Sequence, residues 1–298
     1  MKFIGEIAAL ATASLFAITA WIFTSTGRAV GSQVTNRMRL SFALIYLMVL
    51  NLIFFHEPLP FSTDASRWLW LSLSGIIGLS LGDAFLFQSF IAVGPRLGSL
   101  LLSLAPIFSA IIAWLFFGET LTMVQITGIV LALVGIAWVI VSADEPTNAQ
   151  HGDTRRGVIF GIMAALGQAV GLVLSKKAMS GDFPPFQANA IRMLAAVIFI
   201  WLWAAFDGNT SETFTTLRAK PQVIGLLMIG AFVGPVLAVS LSLLSVQHAV
   251  LGVASTLMSL TPVILLPISH FVFRERVGWQ AVLGTVLAIF GVAILFLA

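Results

Sequence analysis

The chain has 298 residues, of which 59% are hydrophobic and only 9% are charged, and its mean hydropathy is +1.05. Because soluble domains carry about 25% charged residues, this composition excludes an ordinary cytosolic enzyme, a nucleic-acid-binding protein and a disordered protein. The formal charge of +3 comes from 15 Lys and Arg against 12 Asp and Glu, which are too few for a nucleic-acid-binding patch. The absence of cysteine rules out disulfides and cysteine-ligated metal sites.

Hydrophobic segments of membrane-spanning length follow one another along the whole chain. A spanning helix needs about 20 mostly apolar residues, and a window of that size finds ten such segments. They lie at about residues 3–25, 38–55, 67–92, 97–117, 121–142, 157–178, 186–206, 221–246, 249–272 and 277–297. Gly94-Pro95 separates the third segment from the fourth, and Asp207 to Pro221 is a polar loop. The sequence therefore predicts an all-α membrane protein with ten transmembrane helices.

The two halves of the chain resemble each other in sequence. At an offset of 156 residues, 14 of the 43 residues in 97–139 are identical to their counterparts in 253–295. The matched pairs include Pro106 with Pro262 and, at an offset of 153, Asn36 with Asn189 and Arg39 with Arg192. A match that aligns prolines and charged residues is not explained by shared apolar composition, so it indicates an internal repeat.

The repeat divides the chain into residues 1–142 and 157–298, which are joined by a polar linker at 143–156. Each half contains five predicted helices. Because five is an odd number, the second half enters the membrane from the opposite side, and the halves form a 5+5 inverted repeat. Such repeats are typical of transporters that expose one midplane site alternately to either side. A duplication retained only for packing is the other interpretation.

Several short motifs occur once in each half. The first copy has Leu104-Ala105-Pro106, Phe117-Gly118-Glu119-Thr120-Leu121 and Gly128 to Gly135, and the second has Leu260-Thr261-Pro262, Phe273-Arg274-Glu275-Arg276 and Gly284 to Gly291. With these motifs the chain resembles the drug/metabolite transporter superfamily, in its ten-helix branch built from two EamA-type repeats. The resemblance implies a multi-pass transporter of the bacterial inner membrane with cytoplasmic termini. Arg274 departs from the family pattern, which commonly has Gly before the Glu.

Asp83 is the strongest candidate for a functional residue. It lies near the centre of the third segment, where a carboxylate is costly unless it faces a cavity or pairs with another group. Ser80 and Phe87 lie one turn away on the same helical face. We expect these three residues to contact substrate, with Asp83 exchanging a proton or pairing with an amine and Phe87 contacting an amine or an aromatic ring. A structural carboxylic acid bonded to a neighbouring helix is the alternative for Asp83.

Two further sets of residues are expected to act in the membrane interior. Gln168 and Gly171 lie on a stripe of small and polar residues that suits the wall of a substrate cavity, although Gln168 could instead bond a neighbouring helix. Pro106 and Pro262 each remove a backbone donor inside a predicted helix. They predict either a symmetric pair of hinges or two fixed kinks.

The remaining charged residues are expected to have structural roles. Arg39 and Arg192 are placed at the starts of the second and seventh helices, where lipid anchoring is favoured over gating or contact with an anionic substrate. Lys176 is expected to extend to the lipid headgroups, and Glu119 to cap the helix that follows it. Ten Lys and Arg lie on the side opposite the termini and five on the side of the termini. That count contradicts the family orientation, so the side of the termini stays open.

No catalytic motif is recognisable in the sequence. There is no Gly-rich phosphate loop with Lys, no His-Glu-x-x-His, no Gly-x-Ser-x-Gly and no pair of residues at metal-ligand spacing. We therefore predict no enzyme activity, no cofactor and no metal site, and expect an ion gradient or the substrate's own gradient to drive transport.

The leading interpretation is a secondary transporter that exports a small organic metabolite, such as an amino acid or a drug-like analogue. Its expected partners are that small-molecule substrate, the lipid bilayer and, as a candidate coupling ion, the proton. A lipid-handling membrane protein or membrane enzyme, and a non-transporting sensor or scaffold, are the alternatives. The sequence leaves open the substrate, the direction of transport, the coupling ion and the oligomeric state.

Overall fold

The computed structural model describes residues 3–142, 154–208, 210–261, 263–264 and 278–297, and this part of the chain is helical without any strand. The helices are α1 (Ile4–Val30), α2 (Ser32–Phe55), α3 (Ala65–Ser74), π1 (Gly75–Gly82), α4 (Asp83–Leu102), α5 (Ala105–Phe117), α6 (Met123–Ser142), α7 (Thr154–Ala178), α8 (Pro185–Phe206), α9 (Thr210–Ala219), α10 (Gln222–Ala231), π2 (Phe232–Ala238), α11 (Val239–His248), α12 (Leu251–Met258) and α13 (Trp279–Leu297). The two elements π1 and π2 are π-helical and continuous with their α-helical neighbours.

Within the described residues, six helical stretches are long and apolar enough to cross a membrane. They are Ile4–Gly27, Ser32–Phe55, Ala65–Ser89, Arg155–Ala178, Pro185–Phe206 and Gln222–His248. Three shorter apolar helices coincide with the fourth, fifth and tenth predicted segments, and α12 begins the ninth, of which residues 262 and 265–272 lie outside the described residues. The prediction of an integral, multi-pass membrane protein is confirmed.

The chain reverses direction inside α4 although its backbone is helical from Asp83 to Leu102. A Cβ added at Gly161 of α7 would lie 3.0 Å from Ser89 Oγ and 2.8 Å from Leu101 Cβ. A straight helix separates residues twelve positions apart by about 18 Å, so one glycine cannot touch both. The reversal therefore falls between Ser89 and Leu101, an interval that contains the predicted break at Gly94-Pro95.

A short break interrupts the helix before α5, and the same break recurs in the second half. Residues 103–104 form a turn between α4 and α5, in which Leu104 N–H donates to Leu101 O at 3.1 Å. At the corresponding place, residues 259–260 follow α12, and Leu260 N–H donates to Leu257 O at 3.2 Å. Pro106 consequently stands in the first turn of α5, where its missing N–H costs little. The expected kink inside one helix is a break between two, and Pro262 lies outside the described residues.

The segment from Asp207 to Pro221 contains a helix that the sequence interpretation missed. Helix α9 buries Thr213 and Leu217, which are one turn apart, and its other positions are mostly exposed. Thr213 Oγ1 accepts a hydrogen bond from Arg37 Nη1 at 3.0 Å. The polar composition of α9 predicted a loop because only this narrow face is packed.

The helix ends gather on two faces of the bundle. Gly5 of α1 packs against Ala249 between α11 and α12, and this side is called the terminal face. Leu217 of α9 packs with Val30 and Val34, where α1 meets α2, and this side is called the α9 face. Since α1 has 27 residues, its two ends lie about 40 Å apart.

The helix contacts made by one half of the chain have counterparts made by the other half. Helix α6 packs on α13, and α2 packs on α8. Helix α1 packs on α10, π2 and α11, as α7 packs on α3, π1 and α4. Helix α1 also packs on α12, as α7 packs on α5. Every pairing in this set has its counterpart when the halves are exchanged.

Glycines allow α6 and α13 to approach each other closely. A Cβ added at Gly135 would lie 2.4 Å from the backbone nitrogen of Ala288, and one added at Gly291 would lie 2.4 Å from that of Ala132. Lipid tails are as apolar as the helices, so the hydrophobic effect does not drive helix association in a membrane. Small residues such as these glycines instead let two helix backbones approach closely and form van der Waals contacts.

Replacing Gly135 with Ala is expected to destabilise the protein, because its new methyl group would force the backbones of α6 and α13 apart. We expect a loss of about 1–3 kcal/mol, seen as a lower unfolding midpoint in detergent. Gly225→Ala on α10 is the matched control, since no atom lies within 4 Å of the added Cβ, and its midpoint should not fall. Equal midpoints for Gly135→Ala and the unmodified protein would contradict the packing argument.

Candidate functional site

Charged and polar side chains from three helices meet at Asp83. Asp83 is the first residue after π1 and is 8% exposed. One of its carboxylate oxygens forms an ion pair with Arg39 of α2, and the other accepts a hydrogen bond from Gln168 Nε2 of α7 at 3.1 Å. The buried carboxyl group is thereby both paired and hydrogen-bonded, as its burial requires.

Arg39 has three further contacts that hold its guanidinium in place. Its Nε donates to Asn36 Oδ1 at 2.8 Å, and its charged carbon lies 5.2 Å from the ring centre of Phe23 and 5.7 Å from that of Phe87. Aromatic faces stabilise a desolvated cation. These contacts fix the orientation in which Arg39 meets Asp83.

Arg192 is the repeat counterpart of Arg39 and lies against π1, the segment that ends just before Asp83. The residue is 3% exposed, and its backbone is so close to π1 that a Cβ at Gly75 would lie 2.1 Å from Arg192 O. Its Nη2 lies 3.6 Å from the Cβ position of Gly78. Its Nε and Nη1 have no hydrogen-bond partner among the described residues. The negative charge of Asp83 attracts the guanidinium of Arg192.

We call Arg39, Asp83, Gln168 and Arg192 the charge cluster.

The expectation that Arg39 and Arg192 anchor helix starts in the lipid headgroups is wrong. Both residues lie two turns inside their helices, because α2 begins at Ser32 rather than near residue 38 and α8 begins at Pro185. Both side chains are turned into the bundle, where Arg39 pairs with Asp83 and Arg192 is buried.

A narrow cleft of about 70 Å³ lies beside the charge cluster. Its walls come from the first turns of α2, from the region where π1 meets α4, and from the last turns of α8. The lining residues are Ser32, Gln33, Asn36, Arg37, Ser80, Ala84, Phe87, Gln88, Phe199, Ile200 and Trp203. Since α2 begins and α8 ends at the α9 face, the cleft lies on that side. Asn36 and Phe87 belong both to the cleft wall and to the contacts of Arg39, so they connect the two.

The structure brings together most of the predicted site residues. Ser80 and Phe87 line the cleft, and Asp83 and Gln168 are hydrogen-bonded to each other next to it. The hydroxyl of Ser80 also donates to Ala196 O at 3.1 Å. Whether these residues bind substrate stays a prediction.

Gly171 does not line the cleft. A Cβ at Gly171 would lie 3.0 Å from Gly78 Cα, and its carbonyl oxygen accepts hydrogen bonds from Ser74 Oγ at 2.6 Å and Ser175 Oγ at 2.8 Å. The predicted cavity wall along α7 is therefore, at this end, a tight contact with α3 and π1. Small residues in a membrane helix can line a cavity or allow close helix packing, and Gly171 packs against π1.

A second polar cluster ties three helices together at the terminal face. Glu119, just after α5, forms an ion pair with Lys176 of α7 at 2.5 Å and accepts a hydrogen bond from Leu251 N–H at the start of α12, at 3.0 Å. Lys176 Nζ also donates to Ala249 O at 2.8 Å. We call these contacts the terminal clamp. Glu119 thus caps a helix of the other half, and Lys176 is paired with it rather than extended to the headgroups.

Ionisable side chains buried among membrane-spanning helices are commonly found on the solute or ion pathways of multi-pass transport proteins. The sequence profile of the EamA-like transporter family matches residues 3–141 and again residues 155–297. The chain therefore belongs to the EamA-like transporter family, and the resemblance stated from its motifs is confirmed.

Individual relatives are similar in sequence or in fold. An uncharacterised transporter of Archaeoglobus fulgidus is 27% identical over 153 residues, which are 45% of this chain and 54% of that protein, so the chain spans about half of its length. A probable amino-acid metabolite efflux pump of Escherichia coli is 28% identical over 216 residues, covering 71% of each chain. A solved crystal structure has a TM-score of 0.76 at 16% identity, over 100% of this chain and 98% of its own, which shows a common fold.

Proposed function

We propose that the chain is a secondary transporter that exports a small organic metabolite by alternating access. The observation that carries this proposal is the charge cluster, which is buried in the bundle next to a cleft on the α9 face. On the opposite side the terminal clamp joins α5, α7 and α12. A solute would enter or leave by the α9 face in this state, and opening of the terminal clamp would give access to the other side.

The proposal includes a ten-helix 5+5 inverted repeat. It is supported by the exchange of helix pairings between the halves and by the π-helical segment in the third helix of each half. The breaks at residues 103–104 and 259–260 support hinges beside Pro106 and Pro262, because a break lets the two parts of a helix move separately. Exchange of conformation between two such halves would switch the side to which the cleft opens.

An amino acid or a related metabolite is the proposed substrate. The support comes from the name of the Escherichia coli relative, a probable amino-acid metabolite efflux pump, which this chain matches over 71% of its length. The mixed lining of the cleft, with Asn36, Ser80 and Gln88 beside four large apolar side chains, suits a solute that has a polar group and an apolar part.

Protons are the proposed coupling ion. The carboxylate of Asp83 pairs with Arg39 only while it is ionised, so uptake of a proton would release Arg39 and change the contact between α2 and α4. A proton that changes a contact between moving helices can be linked to the side on which the cleft is open. The proposal includes no chemical conversion of the solute.

Solute counterflow in proteoliposomes tests the proposed function. Vesicles loaded with an unlabelled amino acid should transiently accumulate the same labelled amino acid, and a pH gradient imposed without a membrane potential should drive net flux. Protein-free vesicles are the control. Absence of counterflow across amino acids, nucleosides and cationic drugs would contradict the transporter proposal, whereas counterflow without any response to pH would remove only the proton coupling.

A further inference from the structure

The charge cluster contains more positive than negative charge. Arg39 and Arg192 each carry one positive charge, and Asp83 carries the one negative charge, so the cluster has a net charge of +1. Arginine remains protonated in proteins, so this excess is permanent. The nearby Arg37 is not counted in this cluster. It donates a hydrogen bond to Thr213, and the carboxylates that attract its charge are those of Glu212 and Asp207.

The excess charge is located at Arg192. Asp83 has its ion pair with Arg39, while Arg192 has two buried nitrogens without a hydrogen-bond partner among the described residues. A buried charge without a partner is costly, because it loses hydration and gains no equivalent contact. The structure therefore has a position for one further negative charge near Arg39 and Arg192.

We propose that the charge cluster binds a carboxylate solute of net charge −1. The carboxylate of the solute would pair with Arg39, and Asp83 would turn to Arg192, so that two arginines face two carboxylates. This inference rests on the proposed transport function and adds the charge class of the substrate. It selects acidic amino acids and N-acylated amino acids over zwitterions, neutral amides and cations.

The cleft gives such a solute access to Arg39. The side chains of Arg39 and Asp83 are 13% and 12% exposed, whereas Arg192 is buried behind them. A carboxylate can pair with the planar guanidinium through two parallel hydrogen bonds. The apolar part of the solute would lie against Phe199, Ile200 and Trp203 in the cleft wall.

The test uses four compounds that share one aromatic side chain and differ in charge. N-acetylphenylalanine has charge −1, phenylalanine is a zwitterion, N-acetylphenylalaninamide is neutral and phenylalaninamide has charge +1. Each is added to the purified protein, and the unfolding midpoint is measured. We expect N-acetylphenylalanine alone to raise the midpoint, by about 5 °C at a hundredfold excess over Kd. An equal rise with the neutral amide would overturn the proposal.

Substitutions of the two arginines test whether the rise in the unfolding midpoint comes from binding at the charge cluster. Arg39→Gln and Arg192→Gln each leave a neutral cluster, so both should lose the rise caused by N-acetylphenylalanine. Arg192→Gln should also raise the midpoint of the unliganded protein, because it removes an unpaired buried charge. Arg67→Gln, on the terminal face with its own partner Asp64, is the matched control and should keep the rise.

The outcomes separate this inference from the proposed function. A rise that persists in Arg192→Gln would overturn the charge argument, whatever the result of the counterflow assay. Counterflow of zwitterions without any response to the anion would overturn the charge class and leave the transporter proposal standing. If both arginine variants fail to fold, the comparison of the four compounds on the unmodified protein still decides between an anion site and a site without charge preference.

Discussion

Replacing Asp83 with Asn is expected to reduce gradient-driven flux in proteoliposomes by about tenfold or more, a loss that corresponds to about 1.4 kcal/mol in the transport barrier. The amide can neither exchange a proton in place of the carboxyl nor form the ion pair with Arg39. The substitution also leaves Arg39 and Arg192 as two unpaired charges in one buried region. We expect the flux to fall more steeply than the unfolding midpoint, because Asn keeps the volume of Asp and can still hydrogen-bond Gln168.

Two further variants separate function from folding at this position. Asp64→Asn makes the same chemical change at an exposed carboxylate that caps α3 through Arg67 N–H, and it should leave the flux unchanged. The double variant Asp83→Asn with Arg39→Gln restores the charge balance of the unmodified cluster, so it should regain stability but not flux. If Asp83→Asn transports at the unmodified rate and with the unmodified pH dependence, Asp83 has no part in the mechanism.

The apolar spans and the position of Asp83 inside one of them could be predicted because they depend on local sequence. A run of about 20 apolar residues is visible without any knowledge of the fold, and one carboxylate within such a run stands out.

The partners of Asp83 could not be predicted in this way. Arg39 lies 44 positions before Asp83 in the chain and Gln168 lies 85 positions after it, and a single sequence gives no spatial pairing at such separations. The polar residues Ser32, Gln33, Thr35 and Asn36 also lower the local hydropathy, so a hydropathy window starts α2 too late and places Arg39 at the membrane surface. The repeat match of Asn36 and Arg39 with Asn189 and Arg192 was the available signal that both arginines lie inside.

The role of Gly171 shows a second limit of sequence reasoning. A stripe of small residues fits a cavity wall and a helix contact equally well, and only the position of π1 against α7 distinguishes them. Glu119 shows the same limit, because the helix it caps follows 132 positions later and belongs to the other half. Both are tertiary contacts that local propensity does not encode.

A disulfide between Ala110→Cys on α5 and Gly252→Cys on α12 is expected to abolish transport. The Cβ position of Gly252 lies 3.1 Å from Ala110 Cβ, near the separation of about 3.5–4.5 Å that a disulfide requires. Both residues lie on the terminal-face side, close to the terminal clamp. The bond would prevent that side from opening, so we expect flux to fall to the level of protein-free vesicles after oxidation and to return after reduction with dithiothreitol.

The absence of native cysteine makes this experiment clean, because the two introduced thiols are the whole thiol content of the chain. Each single variant, treated with the same oxidant, measures the effect of its substitution without a crosslink, which matters at Gly252 because the added side chain contacts Ala110. The extent of crosslinking is measured by the mobility shift after cleavage in a loop between α5 and α12. Unimpaired flux at complete crosslinking would mean that α5 and α12 do not separate during transport, and the alternating-access proposal would then be wrong.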